Sequence, residues 1–260
     1  MRIMTWNINR FDGADWSWYE KKKDKSMDER ERIADKIINV LNREVKTEND
    51  IAILQEIPYR SHPYVKNTYE IESWKDLLKK QELEVHLPNI TIEPLNVTIA
   101  VTATETVWQF RDKNIIKFDN DGKAYSNAYI EVYKDRVRLL GIHSKNGAAE
   151  INYALDEVDE ASRPNIIIGD FNAGDWGRTH YDKGINREEY IKLKQRFGYT
   201  DVCGGRVTNH VFNSPIDHFL ITNMIGYTYD ITKICINEDK SLSDHYPIIV
   251  EMNERNLLVK

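Results

Sequence analysis

The chain has 260 residues, 41% of them hydrophobic, and 36 Lys and Arg against 42 Asp and Glu give a formal charge of −6. That length buries a sizeable core and fits one large α/β domain or two small ones. No run approaches the ~18 apolar residues of a membrane helix, and the acidic balance excludes coating a phosphate backbone by charge alone. A divalent cation that bridges the two negative partners would still permit phosphate chemistry.

Met1 runs directly into a strand pattern with no signal peptide, and Cys203 and Cys235 match neither a disulfide framework nor a metal-site spacing. Both features lead us to expect free thiols and a cytoplasmic protein. Arg2 to Asn9 alternates Ile3, Thr5, Asn7 and Asn9 against Met4, Trp6 and Ile8, which predicts a first strand ending in amides. Phe11 to Lys25 reads as a loop with Trp16, Trp18, Tyr19 and the basic run Lys21 to Lys23. Ser26 to Asn42 reads as a helix: Ser26 and Glu29 form a capping box, and Ile33, Ile37, Ile38 and Leu41 recur at helical spacing. Asp50 to Glu56 is a short buried strand closed by Pro58.

Ile71 to Gln81 is an amphipathic helix through Trp74, Leu77 and Leu78, and Asn96 to Thr106 is a β-branched strand. Ala128 to Tyr133 and Arg136 to Ile142, joined by Lys134-Asp135, predict a hairpin that ends beside His143. Ala148 to Ala161 is a helix stopped before Pro164. Ile166 to Ile168 then forms a buried strand running into Gly169-Asp170-Phe171-Asn172. Gly169 would let the backbone turn. If the extended geometry persists, Asp170 and Asn172 point the same way at a strand end, where α/β proteins commonly place their chemistry. Asn186 to Phe197 is a helix; Ile216 to Ile221, Tyr229 to Ile236 and Ile248 to Met252 are strands, the last led in by Ser243-Asp244-His245-Tyr246-Pro247. No repeat, low-complexity tract or linker breaks the chain, so a single domain over residues 1–260 is expected.

Polar residues suited to metal or proton chemistry therefore sit at element ends: Asn7, Glu56, His143, Asp170 with Asn172, and Asp244 with His245. Asp217 is an acid inside an apolar strand and needs a partner. A carboxylate can orient an imidazole, and His245 and His218 are the candidates for that partner. His62, His86, His180, His210 and His218 are otherwise assigned no role.

The motifs Thr5-Trp6-Asn7-Ile8, Leu54-Gln55-Glu56, Gly141-Ile142-His143-Ser144, Gly169-Asp170-Phe171-Asn172, Ile216-Asp217-His218 and Ser243-Asp244-His245-Tyr246-Pro247 resemble, in order, those of the endonuclease/exonuclease/phosphatase superfamily with the deoxyribonuclease I-like fold. The resemblance covers nearly the whole chain. It implies a four-layer α/β sandwich with two packed mixed β-sheets and a site at one end. It also implies a divalent-metal-dependent phosphodiester hydrolase. Glu56, Asn7 and Asp244 would hold Mg²⁺ or Mn²⁺, directly or through water. Asp170 would position or deprotonate a water, and Asn172 would donate to a phosphoryl oxygen. His245, oriented by Asp217, would be base or stabiliser, and His143 general acid or phosphate donor.

For substrate, His143 and Gly169-Asp170-Phe171-Asn172-Ala173 resemble the deoxyribonuclease I and sphingomyelinase branches. Pro58 stands where deoxyribonuclease I presents an arginine to the minor groove, and the secreted enzymes' disulfides are missing. An intracellular nuclease acting on DNA or RNA is expected first, a phosphodiesterase or phosphatase on a phospholipid or small ester second, and a non-catalytic binding module last. A nucleic-acid groove needs cations and stacking surfaces, so Arg10, Arg60, Lys145, Arg178 and Trp176 are expected around its mouth. A monomer without an obligate protein partner is expected.

Overall fold

In the computed structural model, residues 1–14, 25–60, 69–90, 94–111, 116, 119–120, 123–124, 128–145, 147–174, 185–236 and 240–255 are described. In chain order the elements are β1 (Arg2–Asn7), α1 (Met27–Glu44), β2 (Ile51–Pro58), α2 (Ile71–Lys79), β3 (Leu83–His86), β4 (Asn96–Ala103), β5 (Gln109–Phe110), β6 (Asp119–Asn120), β7 (Lys123–Ala124), β8 (Tyr129–Lys134), β9 (Val137–His143), α3 (Ala148–Asp156), β10 (Ile166–Asp170), α4 (Ile185–Phe197), β11 (Tyr199–Asp201), β12 (Asp217–Thr222), α5 (Asn223–Thr228), β13 (Tyr229–Ile236) and β14 (Ile248–Glu254).

Two six-stranded sheets carry the fold, in the orders β13-β14-β1-β2-β4-β3 and β11-β12-β10-β9-β8-β5. Each is mixed. Its centre holds one parallel pair, β1 with β2 and β9 with β10, flanked by antiparallel neighbours. Strand alternation then sorts the side chains into layers. Ile3, Ile51, Ile53, Leu139, Ile166, Ile168, Phe219 and Val250 pack between the sheets. Met4, Trp6, Leu54, Ile37, Leu41 and Trp74 pack the first sheet under α1 and α2, while Leu140, Ile142, Ile151, Leu155, Ile167 and Leu193 pack the second under α3 and α4. This is the α/β sandwich with two packed mixed sheets that the motifs implied.

The capping box forms as expected: the Glu29 N–H donates to Ser26 Oγ at 3.2 Å, and the Ser26 N–H donates to Glu29 Oε2 at 2.8 Å. A cap of this kind contributes about 1 kcal/mol. Several boundaries differ from the sequence pattern. β1 ends at Asn7, because Asn9, Arg10 and Phe11 take left-handed φ values of 45, 55 and 63° and wind into a 3₁₀ turn. Pro58 is the last residue of β2, paired with Asn96, and does not close the strand before it. α3 stops at Asp156, and Glu160–Ser162 is a separate 3₁₀ turn. β3, β5, β11 and α5 are too short to leave a periodic signal.

Two glycines are required by close approach. A Cβ on Gly141 would lie 2.3 Å from Ile53 Cγ2, where the sheets meet. Gly169 has φ +135°, and a Cβ there would lie 1.9 Å from the Ile142 carbonyl oxygen. Gly169 therefore lets β10 press against β9 and run on to Asp170; the turn comes after it.

Candidate active site

The alternation that builds the inter-sheet core also builds the site. Continuing past Ile3 on β1, past Leu139 and Gly141 on β9 and past Ile168 on β10, the same face delivers Asn7, His143 and Asp170. Register places Asp170 opposite His143 on one side and opposite Asp217 on the other. Glu56 arrives by a different route. Between Leu54 and Ile57, β2 carries one residue more than β4 does between Ile99 and Val97, and Glu56 there has φ 56°. The bulge and the left-handed residue swing Glu56 off the helix-facing side of β2. Such backbone strain costs of order 1–3 kcal/mol and persists where surrounding structure over-determines it.

The polar groups form one network. Asn7 Nδ2 donates to Asp170 Oδ2 at 3.0 Å and to Glu56 Oε1 at 3.4 Å, while its Oδ1 accepts the Asn9 N–H at 3.0 Å. Asn7 thus presents a donor to the site, where the sequence pattern suggested an oxygen for a metal. His143 Nε2 lies 3.7 Å from Glu56 Oε1 and 3.8 Å from Asp170 Oδ2. His245 Nδ1 lies 2.8 Å from Asp217 Oδ2, and its Nε2 lies 3.8 Å from Asp170 Oδ2. Of the two candidate partners for Asp217, His245 is the one. His218 leaves β12 on the opposite face and meets Asp201, Tyr190 and the Ala173 carbonyl.

Asp170 and Asn172 do meet, but not by continued extension. β10 ends at Asp170, and Asn172 has φ 48°, which folds its N–H back to donate to Asp170 Oδ1 at 2.8 Å. Asn172 Nδ2 donates to the Ser144 carbonyl at 2.9 Å, which leaves its second amide hydrogen for another acceptor. The Ser243 hydroxyl donates to the Asn7 carbonyl at 2.6 Å, and Trp6 Nε1 donates to the His245 carbonyl at 2.9 Å. These bonds hold the segment before β14 against the end of β1.

Burial and charge set the protonation balance. Burial pushes the Asp170 carboxyl above its ordinary value, and Asp217 beside it adds to the shift. Burial likewise raises Asp244. Burial also opposes charge on Glu56, yet Arg10 and His143 outweigh it and hold Glu56 below the usual range. For His245 burial works against the charged ring, but Asp217 and Asp244 prevail and raise its pKa well above the usual imidazole value.

A sequence model of the Endonuclease/Exonuclease/phosphatase family matches residues 4–245. The chain belongs to this family. No curated protein matches the sequence. Among solved structures, the chain is similar to a 3'-5' exonuclease from Neisseria meningitidis, with a TM-score of 0.59 and 16% identity over 97% of this chain and 100% of the other. An AP endonuclease from Archaeoglobus fulgidus gives a TM-score of 0.62 at 15% identity, covering 97% and 99%. D. rerio TDP2 complexed with single-strand DNA product gives 0.57 at 16%, covering 97% and 98%. At these identities the likeness shows the shared fold.

The cations expected at the mouth of this family member's site divide. Arg10 is 14% exposed along its side chain and turns inward, 3.5 Å from Glu56 Oε2 and 3.8 Å from Asp12 Oδ2. Arg60 and Lys145 are exposed, at the ends of β2 and β9. Trp176 and Arg178 lie outside the described residues, as do Trp16, Trp18, Tyr19 and Lys21 to Lys23. No helix among the described residues is long and apolar enough to cross a membrane. Sequence reasoning missed the loop at Thr208-Asn209. Thr208 Oγ1 accepts the N–H groups of Ile216 and Asp217 at 3.1 and 2.9 Å, and Asn209 Nδ2 lies 2.9 Å from His245 Nε2. The only signal was a polar pair in a loop ahead of Asp217, which many turns share.

The donor set fits a hard divalent cation. Asp217 Oδ1 is a buried oxygen with no hydrogen-bond partner among the described residues, and Glu56 Oε2 makes no hydrogen bond there but lies 3.5 Å from the Arg10 guanidinium. Asp170, Asp217 and His245 also offer ligand atoms within 4.8 Å of one another.

Proposed function

We propose that this chain is a divalent-metal-dependent phosphoester hydrolase whose first substrate class is a phosphodiester in nucleic acid. The observation that carries this reading is the convergence of Glu56, His143, Asp170 and the His245–Asp217 pair at one end of the inter-sheet layer, joined through Asn7. Family membership over residues 4–245 and likeness to structures described as nucleases favour nucleic acid over a lipid.

Glu56 and Asp244 would hold Mg²⁺ or Mn²⁺, with Asn7 fixing the Glu56 carboxylate by donation. When bound, that cation supplies charge neutralisation at a phosphate oxygen. Asp170 orients a water through its Oδ2, the oxygen on the side of His143 and His245, which keeps a second lone pair beside its bond from Asn7 Nδ2. Burial and Asp217 raise its pKa, which makes it a stronger proton acceptor than a solvated carboxylate. His245 sits 3.8 Å from the same oxygen, oriented by Asp217, and stabilises negative charge growing on the phosphoryl group. His143, on the open side of the site, donates to the leaving or non-bridging oxygen. Arg60 and Lys145 bind flanking phosphates, in keeping with a chain whose overall charge of −6 gives no general attraction.

A substrate panel tests this reading: single- and double-stranded DNA, RNA, abasic DNA, sphingomyelin, a phosphoinositide and bis(p-nitrophenyl) phosphate, with Mg²⁺, with Mn²⁺ and with EDTA. Metal-dependent cleavage of a nucleic acid is expected. Cleavage confined to the lipids or the aryl ester moves the substrate class, and no cleavage of any member overturns the reading.

A further inference from the structure

Arg10 is a cation drawn into the acid site. Its Nη1 lies 3.5 Å from Glu56 Oε2, the edge of that carboxylate which takes no hydrogen bond among the described residues. The other edge, Oε1, faces Asn7 Nδ2 at 3.4 Å and His143 Nε2 at 3.7 Å. Glu56 is therefore oriented without Arg10, by Asn7 and by the bulge in β2. What Arg10 adds at Oε2 is charge, and that charge acts on Asp244 as well as on Glu56.

The backbone keeps Arg10 at this place. Asn9, Arg10 and Phe11 have φ values of 45, 55 and 63°, three successive non-glycine residues in the left-handed region. The turn is held from several sides. The Asn9 N–H donates to Asn7 Oδ1 at 3.0 Å, Asn9 Nδ2 donates to the Gly13 carbonyl at 2.9 Å, and the buried Phe11 ring meets Tyr69 and Trp74 edge-on. Arg10 Nη2 donates to Asn9 Oδ1 at 3.0 Å, which ties the side chain back to its own turn. Asp12 is already paired: Arg30 donates twice to its Oδ1, at 3.0 and 2.7 Å, while Arg10 lies 3.8 Å from its Oδ2. Asp12 thus offsets only part of the Arg10 charge.

We propose that Arg10 is the built-in counter-cation of the Glu56 seat: it shares Oε2 with the divalent ion, opposes that ion, and so sets how tightly the seat holds it. This inference rests on the metal-dependent reading given above. Arg10 then belongs to the cation seat and not to the rim that binds flanking phosphates. The guanidinium keeps its proton at any ordinary pH and the turn keeps it beside Glu56, so the repulsion persists where charges are weakly screened. A guanidinium that merely oriented Glu56 would have the opposite effect, since its loss would weaken the ion.

Calorimetric titration with Mn²⁺, without substrate, tests this on Arg10→Gln and Arg10→Lys. Gln removes the charge and keeps a donor for Asn9 Oδ1, whereas Lys keeps the charge. We expect the Kd for Mn²⁺ to fall by about tenfold or more in Arg10→Gln and to change little in Arg10→Lys. In EDTA the Gln variant should unfold at a lower temperature than the wild type, and saturating Mg²⁺ should narrow that gap. In wild-type protein labelled with ¹⁵N-arginine, the Arg10 side-chain N–H resonances should shift along the Mg²⁺ saturation curve, a measurement that decides the question even where a variant does not fold. Equal or weaker Mn²⁺ affinity in folded Arg10→Gln, or Arg10 resonances indifferent to Mg²⁺, overturns the inference and leaves the phosphoester reading in place. No ion binding by either wild type or variant overturns both.

Discussion

Asp217 and His218 are neighbours on β12, yet alternation sends them to opposite faces, and each joins a different acid–imidazole pair. Asp217 faces the inter-sheet layer and pairs with His245, whose second nitrogen is 3.8 Å from Asp170. His218 faces α4. Its Nδ1 lies 3.0 Å from both Asp201 Oδ2 and the Tyr190 hydroxyl, and its Nε2 lies 2.6 Å from the Ala173 carbonyl. Both rings are buried and both have a carboxylate. What differs is the second nitrogen: that of His218 is committed to a main-chain carbonyl, while that of His245 meets an amide beside the site acids. The far nitrogen of His218 is thus closed off by the main chain, whereas that of His245 lies on the site side, 3.8 Å from Asp170.

The largest effect should come from breaking the open pair. Asp217→Asn and His245→Ala are each expected to lower kcat by about a hundredfold or more, because the ring loses its orienting charge or is lost altogether. The double variant should cost little beyond His245→Ala, since groups acting as a unit are not additive. Fully additive losses in a turnover assay would mean that the two residues work separately.

Breaking the closed pair should act on stability. His218→Ala leaves Asp201 buried without its imidazole, a change worth about 3–5 kcal/mol for buried pairs. It should lower the urea midpoint far more than it lowers activity per folded molecule. Loss of activity at unchanged stability would place His218 in the reaction and erase the contrast.

Asp201 in the closed pair and Asp170 beside the open pair give opposite pH signatures. Burial works to raise Asp201, but the His218 hydrogen bond and charge outweigh it and hold its pKa low. Its contribution is therefore present above the unfolded carboxyl value of about 3.9 and lost as pH falls through the folded value. Asp170 has a raised folded pKa, so its contribution is present below the unfolded value and lost as pH rises through the folded one. The stability difference between wild type and Asp201→Asn should be clear at neutral pH and shrink in strong acid. A difference that grows on acidification would reverse the assignment.

Smaller effects sharpen the picture of the open side. Mg²⁺ should raise the thermal midpoint of the wild type and do so much less in Glu56→Gln, because ligand binding to the folded state alone stabilises it. An undiminished shift in the variant would remove Glu56 from the cation site. At the rim, replacing Arg60 and Lys145 by Ala should each flatten the dependence of log affinity on log salt by about one unit for DNA or RNA. Unchanged slopes would leave both residues as solvated surface.

The layers, and the residues that converge at their end, were legible in the order of residues alone. Period-two patterns in Arg2–Asn7 and Val137–His143, and the apolar run Ile166–Ile168, decide which faces are buried, and burial is a local property of residue type. Motifs ending those strands named Glu56, His143, Asp170, Asp217 and His245. How these side chains pair was set by packing between elements. Whether Asp217 pairs with His245 or His218 depends on which face of β12 meets the other sheet. Glu56 reaches the site because β2 carries a bulge relative to β4, which β2 alone does not encode. Arg10 faces Glu56, and Asn209 faces His245, across 46 and 36 positions of chain. Such contacts are set by packing between elements distant in sequence, so no local pattern records them.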